Sequence, residues 1–221
     1  VGTRPLTERR PSTRWTIVVD FDGTITERDM LDAICTELAP EQTAAAEAAL
    51  VAGEIVLREC IRREFESIRG DHATIVAEYV GRAVVRRGFP EFVRAAQGAG
   101  HRVVVISSGF DAVIRPVLAR AGVGDLEVLA HDVRFSPEGT VVTFRPGVRC
   151  NVCGEECKRP LVSALAEPQS VVYIGDGWSD RCASLFADRR FARAGLARFL
   201  ERERVDHARF ESFDEVQRAL L

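Results

Sequence analysis

Two aspartates separated by a single residue, Asp20 and Asp22, stand directly after an apolar, β-branched run from Trp15 to Val19, and Gly23-Thr24 follow them. A run of that length is one strand, and polarity arrives where the strand should end. In an open parallel sheet, side chains just past a strand's carboxyl end face the ligand crevice, and Gly23 lets the backbone turn away. Two carboxylates in one crevice repel each other and call for a cation. Mg²⁺ prefers oxygen ligands and is commonly held by one or two carboxylates together with a substrate phosphate, so the chemistry indicated is phosphoryl transfer. The competing reading is a hairpin, because Asp-Gly after a strand is also ordinary turn chemistry.

Other groups along the chain bear on that choice. The run Val103–Ile106 ends in Ser107-Ser108-Gly109-Phe110 and leads into a helix expected over Asp111–Ala121. A hydroxyl, a glycine and a helix terminus together turn N–H groups toward an anion; the alternative is a simple helix cap. A second apolar run, Val171–Ile174, precedes Gly175-Asp176-Gly177-Trp178-Ser179-Asp180 and places two more carboxylates at a strand end. The 30 basic residues are 29 arginines and one lysine, Lys158. Against so strong an arginine bias, a lone lysine marks a position that needs a compact ammonium rather than a planar guanidinium fork, unless it is a surface lysine left by accident. Cys150, Cys153 and Cys157 run up to it. They offer three of the four ligands of a tetrahedral zinc site, with His131 or Cys182 as a fourth only if the fold permits; reduced structural thiols around a tight loop are the reading the sequence favours.

The elements that must position these groups follow from periodicity and breakers. Helices are expected over Asp29–Leu38, Glu41–Ala52, Glu54–Ile68 and Ala73–Arg86, with Pro40, Gly53 and Gly70-Asp71 at the joints. Four helices with short joints make a bundle, which would sit over the carboxylates as a lid. A helix begins near Pro90 and ends near Gly98 or Gly100. Strands are expected over Leu126–Ala130 and as a hairpin of Val133–Phe135 with Val141–Phe144. Lys158 leads a helix through Leu165, and helices over Leu196–Arg204 and Phe213–Leu221 close the chain. The expected organisation is a leader over 1–14, a core built from 15–26 and 88–221, and a helical cap over 27–87.

Composition narrows the class. With 221 residues, 46% of them hydrophobic and 29% charged, the chain can bury one main core and a smaller unit. A formal charge of −3 leaves no electrostatic footprint for nucleic acid, and no stretch approaches the length of a membrane span. Six cysteines, two of them isolated in expected helices, do not resemble a secreted disulfide framework. A cytoplasmic enzyme, monomeric or homodimeric, is the expectation.

Asp20-Phe21-Asp22-Gly23-Thr24 resembles the first motif of the haloacid dehalogenase superfamily of phosphatases, and the other motifs follow in that family's order. The resemblance implies an α/β fold, a Rossmann-like three-layer parallel sheet with a small inserted four-helix-bundle cap of the C1 type. It implies a phosphoric monoester hydrolase with an aspartyl-phosphate intermediate: Asp20 is the nucleophile, Asp22 the general acid and base, Ser107 with Ser108 and Gly109 the phosphate-binding motif, and Lys158 the cation beside nucleophile and phosphate. Mg²⁺ would be held by the Asp20 carboxylate, the Asp22 backbone carbonyl and Asp176, with Asp180 as ligand or support. Ser179 departs from the asparagine frequent at that place in phosphoserine phosphatases.

An insertion after the first strand is similar to the phosphoserine phosphatase-like branch. The approach to Lys158 and the Gly-Asp-Gly-x-Ser-Asp-Arg-Cys run resemble the 2-hydroxy-3-keto-5-methylthiopentenyl-1-phosphate phosphatases, while phosphoethanolamine/phosphocholine phosphatases share parts of the pattern. The substrate, a small phosphorylated metabolite, would meet Asp29, Arg58, Arg62 and Trp178. Asp29 replaces the glutamate with which phosphoserine phosphatases read an amine, which argues against serine as leaving group. The competing class is a non-catalytic metal or redox sensor that uses the cysteines, but neither nucleophile nor lysine is lost.

Overall fold

The computed structural model describes residues 14–166 and 170–221. All of the expected leader except Arg14 lies outside the described residues. At the centre is β1 (Trp15–Val19), whose Val19 pairs with Val105 of β2 (Arg102–Phe110) on one side and Ile174 of β5 (Ser170–Gly175) on the other. Outward of β2 lie β3 (Glu127–Arg134) and β4 (Val141–Thr143); outward of β5 lie β6 (Arg189–Ala192) and β7 (Ala208–Arg209). The order is β4-β3-β2-β1-β5-β6-β7, parallel except at β4 among the described residues. The chain builds to one side of β1 and then returns to the other, which makes β1 the switch point where such sheets open a crevice. The residues that follow Val19 and Ile174 therefore arrive side by side.

Strand alternation sorts the core into two layers. Ile17 and Val19 face α5 (Phe89–Gly98), α6 (Asp111–Arg120) and α10 (Phe213–Leu220), while Val18 faces α7 (Arg159–Ala166) and α8 (Arg181–Ser184). A further helix, α9 (Ala194–Arg202), packs Leu196, Ala197 and Leu200 against Ala192. Burial on both faces explains why β1 and the start of β2 are nearly unbroken β-branched sequence.

Between β1 and α5 the chain forms four helices, α1 (Met30–Leu38), α2 (Pro40–Val51), α3 (Leu57–Glu66) and α4 (His72–Arg82). Asp29 and Asp71 cap the first and last by accepting from the amides of Asp32 and Thr74 at 2.9 and 2.8 Å. Their apolar faces, including Ile34, Ile61, Phe65 and Tyr79, belong to the same buried cluster as the sheet. Phe65 meets Phe110 at the end of β2 edge to face, centroids 4.9 Å apart, a geometry that adds about 0.5–1.5 kcal/mol beyond area burial. No helix among the described residues is long and apolar enough to cross a membrane.

Three elements depart from the sequence pattern. The pattern predicts a strand to Ala130 and a separate hairpin arm from Val133, but β3 runs through both, because His131-Asp132 is polar yet contains no breaker; its second half pairs with β4. The helix expected to reach Arg86 stops at Arg82, after which Val85 bridges to Thr26 and the chain returns to the core. And β2 continues through Ser107–Phe110, with its register against β3 shifting between Ile106 and Phe110.

Candidate active site

Asp20 follows β1, Asp176 follows β5, and Asp180 closes a single tight turn over Trp178–Asp180. Oxygens of these three carboxylates lie within 4.8 Å of one another. Lys158, immediately before α7, reaches into the group and donates to Asp20 Oδ1 at 2.5 Å and Asp180 Oδ1 at 2.8 Å. Lys158, Asp20 and Asp180 are all buried. Burial opposes the charge on Lys158, but Asp180 and Asp20 overcome it and hold the ammonium protonated. The carboxylates outnumber it. Asp20 is driven well above the usual carboxylate range by burial and then by Asp180, against the pull of Lys158. Asp176 is raised to about 6 by burial and Asp180. This largely buried set of three carboxylates against one ammonium offers only oxygen ligands and fits a hard divalent cation such as Mg²⁺.

Asp180 is the most constrained member. Its Oδ1 also accepts from the Tyr173 hydroxyl at 2.7 Å, and its Oδ2 accepts from the amides of Asp176 and Gly177 at 3.0 and 2.9 Å. These bonds orient Lys158 and shape the turn that presents Asp176. Thr24 Oγ1 donates to Asp176 Oδ1 at 3.0 Å. A Cβ on Gly23, at φ +73°, would lie 2.5 Å from Asp176 Oδ2, so glycine serves both the turn and the close approach of the two loops.

Asp22 faces another neighbourhood. Its Oδ1 accepts from the amides of Met30 and Leu31 at 3.0 and 3.3 Å, at the start of α1, and its Oδ2 accepts from the Ser107 hydroxyl at 3.2 Å. Ser107 Oγ accepts in turn from the Gly109 amide at 2.8 Å. Burial first, and the charge of Asp29 second, raise Asp22 to about 7 against those hydrogen bonds. A carboxyl that titrates near neutrality can both give and take a proton at working pH.

The loop bearing these aspartates is clamped by residues the sequence pattern does not single out. Arg86 is buried and donates to the carbonyls of Gly23, Thr24 and Thr26 at 2.8, 2.8 and 3.0 Å, and Arg193 donates to Gly23 O at 2.8 Å. In sequence Arg86 belongs to a basic pair with Arg87, whose side chain is 84% exposed and pairs with Asp214; nothing local separates the two. Tyr173 and Thr24 likewise read as strand and turn residues.

Beside the carboxylates lies a cavity of about 410 Å³, walled by Arg58, Arg145, Arg149, Trp178 and Arg181, with Ser107, Ser108 and Lys158 also on its surface. Arg58 crosses from α3 to pair with Glu156 and donates to the carbonyl of Arg145. Trp178 is half exposed under the guanidinium of Arg181, 3.7 Å from the ring centre. One sequence candidate lies elsewhere. Arg62 projects from α3 into ion pairs with Glu59 and Glu66 at 2.7 and 2.5 Å, partners that helical spacing supplies, and it does not line the cavity. Asp29 caps α1 through the Asp32 amide, and its charge reaches Asp22 and Asp176, so it lies at the edge of the site. His131 borders the cavity, where burial and then Arg58 lower it to about 4; the thiol that joins Cys150, Cys153 and Cys157 is that of Cys182.

The family model of haloacid dehalogenase-like hydrolases matches residues 17–184. The 2-hydroxy-3-keto-5-methylthiopentenyl-1-phosphate phosphatase of Brevibacillus brevis is 29% identical, with 95% of this chain and 96% of that protein covered. The protein of the same name from Exiguobacterium sp. is 29% identical over 90% of this chain and 94% of its own length. Among solved structures, a phospho-aspartyl intermediate analogue of phosphoserine phosphatase superposes with a TM-score of 0.70 at 18% identity, covering 95% of this chain and 100% of that one. A substrate-bound phosphoserine phosphatase complex gives 0.69 at 18% identity, covering 94% and 99%.

Proposed function

Since the chain belongs to the haloacid dehalogenase-like hydrolases, we propose that it hydrolyses a small phosphate monoester by way of an aspartyl phosphate on Asp20. The observation that carries this reading is the pairing of Asp20 with a buried Lys158 at the sheet's switch point, beside a second carboxyl, Asp22, raised to about 7. An oxygen of Asp20 attacks phosphorus in line as the bond to the leaving oxygen breaks. Asp22 gives its proton to that oxygen, then takes one from the water that attacks phosphorus and frees Asp20. Lys158 and Ser107, with Ser108 beside them on the cavity surface, face the charge spread over the phosphoryl oxygens, and the Gly109 amide holds the Ser107 hydroxyl. Asp20, Asp176 and the backbone carbonyl of Asp22 would hold Mg²⁺, which when bound supplies further positive charge at the phosphoryl group. The four hydrogen bonds on Asp180 support its part as a positioning residue for Lys158 and Asp176.

The helices α1–α4 form the cap, and the leaving group extends into the arginine-walled cavity. Four guanidinium groups there, those of Arg58, Arg145, Arg149 and Arg181, face two carboxylates, Glu155 and the Glu156 that pairs with Arg58, and the excess of positive charge disfavours a cationic leaving group such as choline or ethanolamine. It suits a neutral or anionic oxygen-rich one. That preference, with the names of the relatives of similar length, makes 2-hydroxy-3-keto-5-methylthiopentenyl-1-phosphate the first substrate to assay. Purified protein with Mg²⁺ is expected to release phosphate from it at a higher kcat/KM than from phosphoserine, phosphoethanolamine or phosphocholine, and Asp20→Asn is expected to abolish release. Faster turnover of phosphocholine would overturn the substrate reading, and an active Asp20→Asn enzyme would overturn the nucleophile.

A further inference from the structure

Cys150, Cys153, Cys157 and Cys182 converge outside the carboxylate group, and all four sulfurs lie within 4.8 Å of one another. Cys150 Sγ is 3.6 Å from Cys182 Sγ, and Cys153 Sγ is 3.5 Å from Cys157 Sγ. With Zn–S bonds near 2.3 Å, the edge of a thiolate tetrahedron is about 3.8 Å. Two separate disulfides would require closeness only within each pair, whereas these sulfurs are mutually close in all combinations, as ligands around one centre are. We propose that the four thiolates bind one Zn²⁺, which fastens the segment in front of Lys158 to the helix behind Asp180.

The local backbone suits such a ligand loop. The amide of Val152 points at Cys150 Sγ from 3.4 Å, an arrangement that stabilises negative charge on sulfur. The chain then reverses through Gly154 at φ +76°, whose amide donates to Cys150 O at 3.0 Å, while the Cys150 amide donates to Glu155 O at 2.8 Å. A Cβ on Gly154 would meet nothing within 4 Å, so glycine answers to the backbone conformation alone. A sulfur-only tetrahedral set selects zinc or iron–sulfur chemistry, and four cysteines from one loop and one short helix make a closed structural site for a single ion. Aqueous Zn²⁺ displaces one proton from each thiol to solvent and its own bound water is released, so no oxidant or reductant is needed.

The fold also gives the metal a task. From Phe144 to Lys158, between β4 and α7, the chain runs for 15 residues without a helix or strand, and Val148 and Val152 in it are exposed. A loop of that length inside a compact domain is uncommon and usually has a task; Arg58 ties it to α3 through Glu156 and the Arg145 carbonyl, and the thiolates would tie its far end. It carries Arg145 and Arg149 into the cavity wall and ends on Lys158. Cys157 precedes Lys158, Cys182 lies two residues beyond Asp180, and Lys158 Nζ and Asp180 Oδ1 are 2.8 Å apart. The zinc would thus brace, from behind, the ion pair at the centre of the carboxylate group.

The test is metal content of the full chain, purified without chelators from zinc-supplemented culture. Plasma mass spectrometry and native mass spectrometry are expected to find one zinc per chain. Replacement by Co²⁺ should bring the visible bands and intense near-ultraviolet charge transfer of tetrahedral thiolate coordination. Cys182→Ser should lose the stoichiometric metal. Because that variant could fail to fold, Cys153→Ser, at an exposed position, is made alongside and should lose zinc with its circular dichroism unchanged. Amide exchange in 144–158 should quicken when zinc is stripped. Zinc retained at one per chain by both variants, a zinc-free protein that takes up neither metal in titration, or an intact mass short by four hydrogens without reductant would each overturn the proposal. None of these readouts depends on phosphate release, so a failure of the phosphatase reading would leave them unchanged.

Discussion

Lys158→Met removes the ammonium from a group that contains Asp20, Asp176 and Asp180 and keeps the length of the side chain. In the native protein the amine lies 2.5 and 2.8 Å from two carboxylate oxygens and is 5% exposed. Breaking a buried ion pair by removing one partner costs about 3–5 kcal/mol, because the remaining charge is left uncompensated. For a chain of this size that corresponds to a fall in Tm of about 6–20 °C. The loss should depend on pH with a definite sign. The folded-state pKa values of Asp20 and Asp176 are raised, Asp176 to about 6, so ionising them opposes folding increasingly as pH rises from the unfolded carboxylate range toward those values. Protonation at low pH relieves that repulsion, so the variant should approach wild-type stability near pH 4.5 and fall furthest behind at pH 7 and above. Added Mg²⁺ should narrow the gap at pH 7. The assay is differential scanning fluorimetry across pH, with and without Mg²⁺, beside phosphate release. Lys158→Arg restores the charge and should recover most of the stability, yet its planar fork does not fit a site built for a point charge. It should still lose at least about 10²-fold in kcat. A pH-independent loss of stability in Lys158→Met, or a fully active Lys158→Arg enzyme, would refute the reasoning.

The remaining predictions concern proton transfer, the loop clamp and the cavity. Carbon-13 NMR titration of the metal-free protein should show the Asp22 carboxyl with a pKa near 7; Asp22→Asn should cut turnover of alkyl phosphates sharply but spare the first step with an aryl phosphate, whose leaving group needs no proton. Arg86→Met removes this donor from the carbonyls of Thr24 and Thr26 and leaves Gly23 O to Arg193 alone, and should lower stability by about 3–5 kcal/mol in denaturant melts, since each hydrogen bond to a charged group contributes about 1.5–3 kcal/mol and relaxation recovers part of it. Arg145→Ala should raise KM for an anionic or oxygen-rich ester more than for p-nitrophenyl phosphate, while Arg62→Ala, away from the cavity, should change neither. Phe65→Ala should cost about 3–5 kcal/mol by removing a fully buried ring between α3 and β2.

What the sequence makes legible here is what strand ends make legible. Asp20, Ser107 and Asp176 can be placed in one crevice because each follows a β-branched run of strand length, and parallel strands flanking one switch point bring their carboxyl ends together whatever lies between. Lys158 could be singled out by composition alone, from its solitude among arginines. Neither signal reaches the groups that hold the crevice in shape. Arg86 is buried because three carbonyls, freed by the turn at Gly23, need a donor at a sequence distance of about 60 residues, and no local property distinguishes it from Arg87. Tyr173 alternates along β5 like any core residue, and only the arrival of Asp180 at its hydroxyl reveals a polar task. Arg62 shows the opposite failure: its charge suggests a ligand, but Glu59 and Glu66 on the same helix occupy it. The cysteines lie between the two cases: three belong to a visible spacing, while the sequence offers His131 and Cys182 alike as a fourth, and only the turn that carries Asp180 brings Cys182, 25 residues beyond the last of them, to the cluster. Chemistry-bearing groups can be read where the backbone period delivers them. The residues that set their geometry must be sought where loops from different strand ends leave polar groups to be satisfied, and in this chain that place is the narrow space among the turns after β1, β2 and β5.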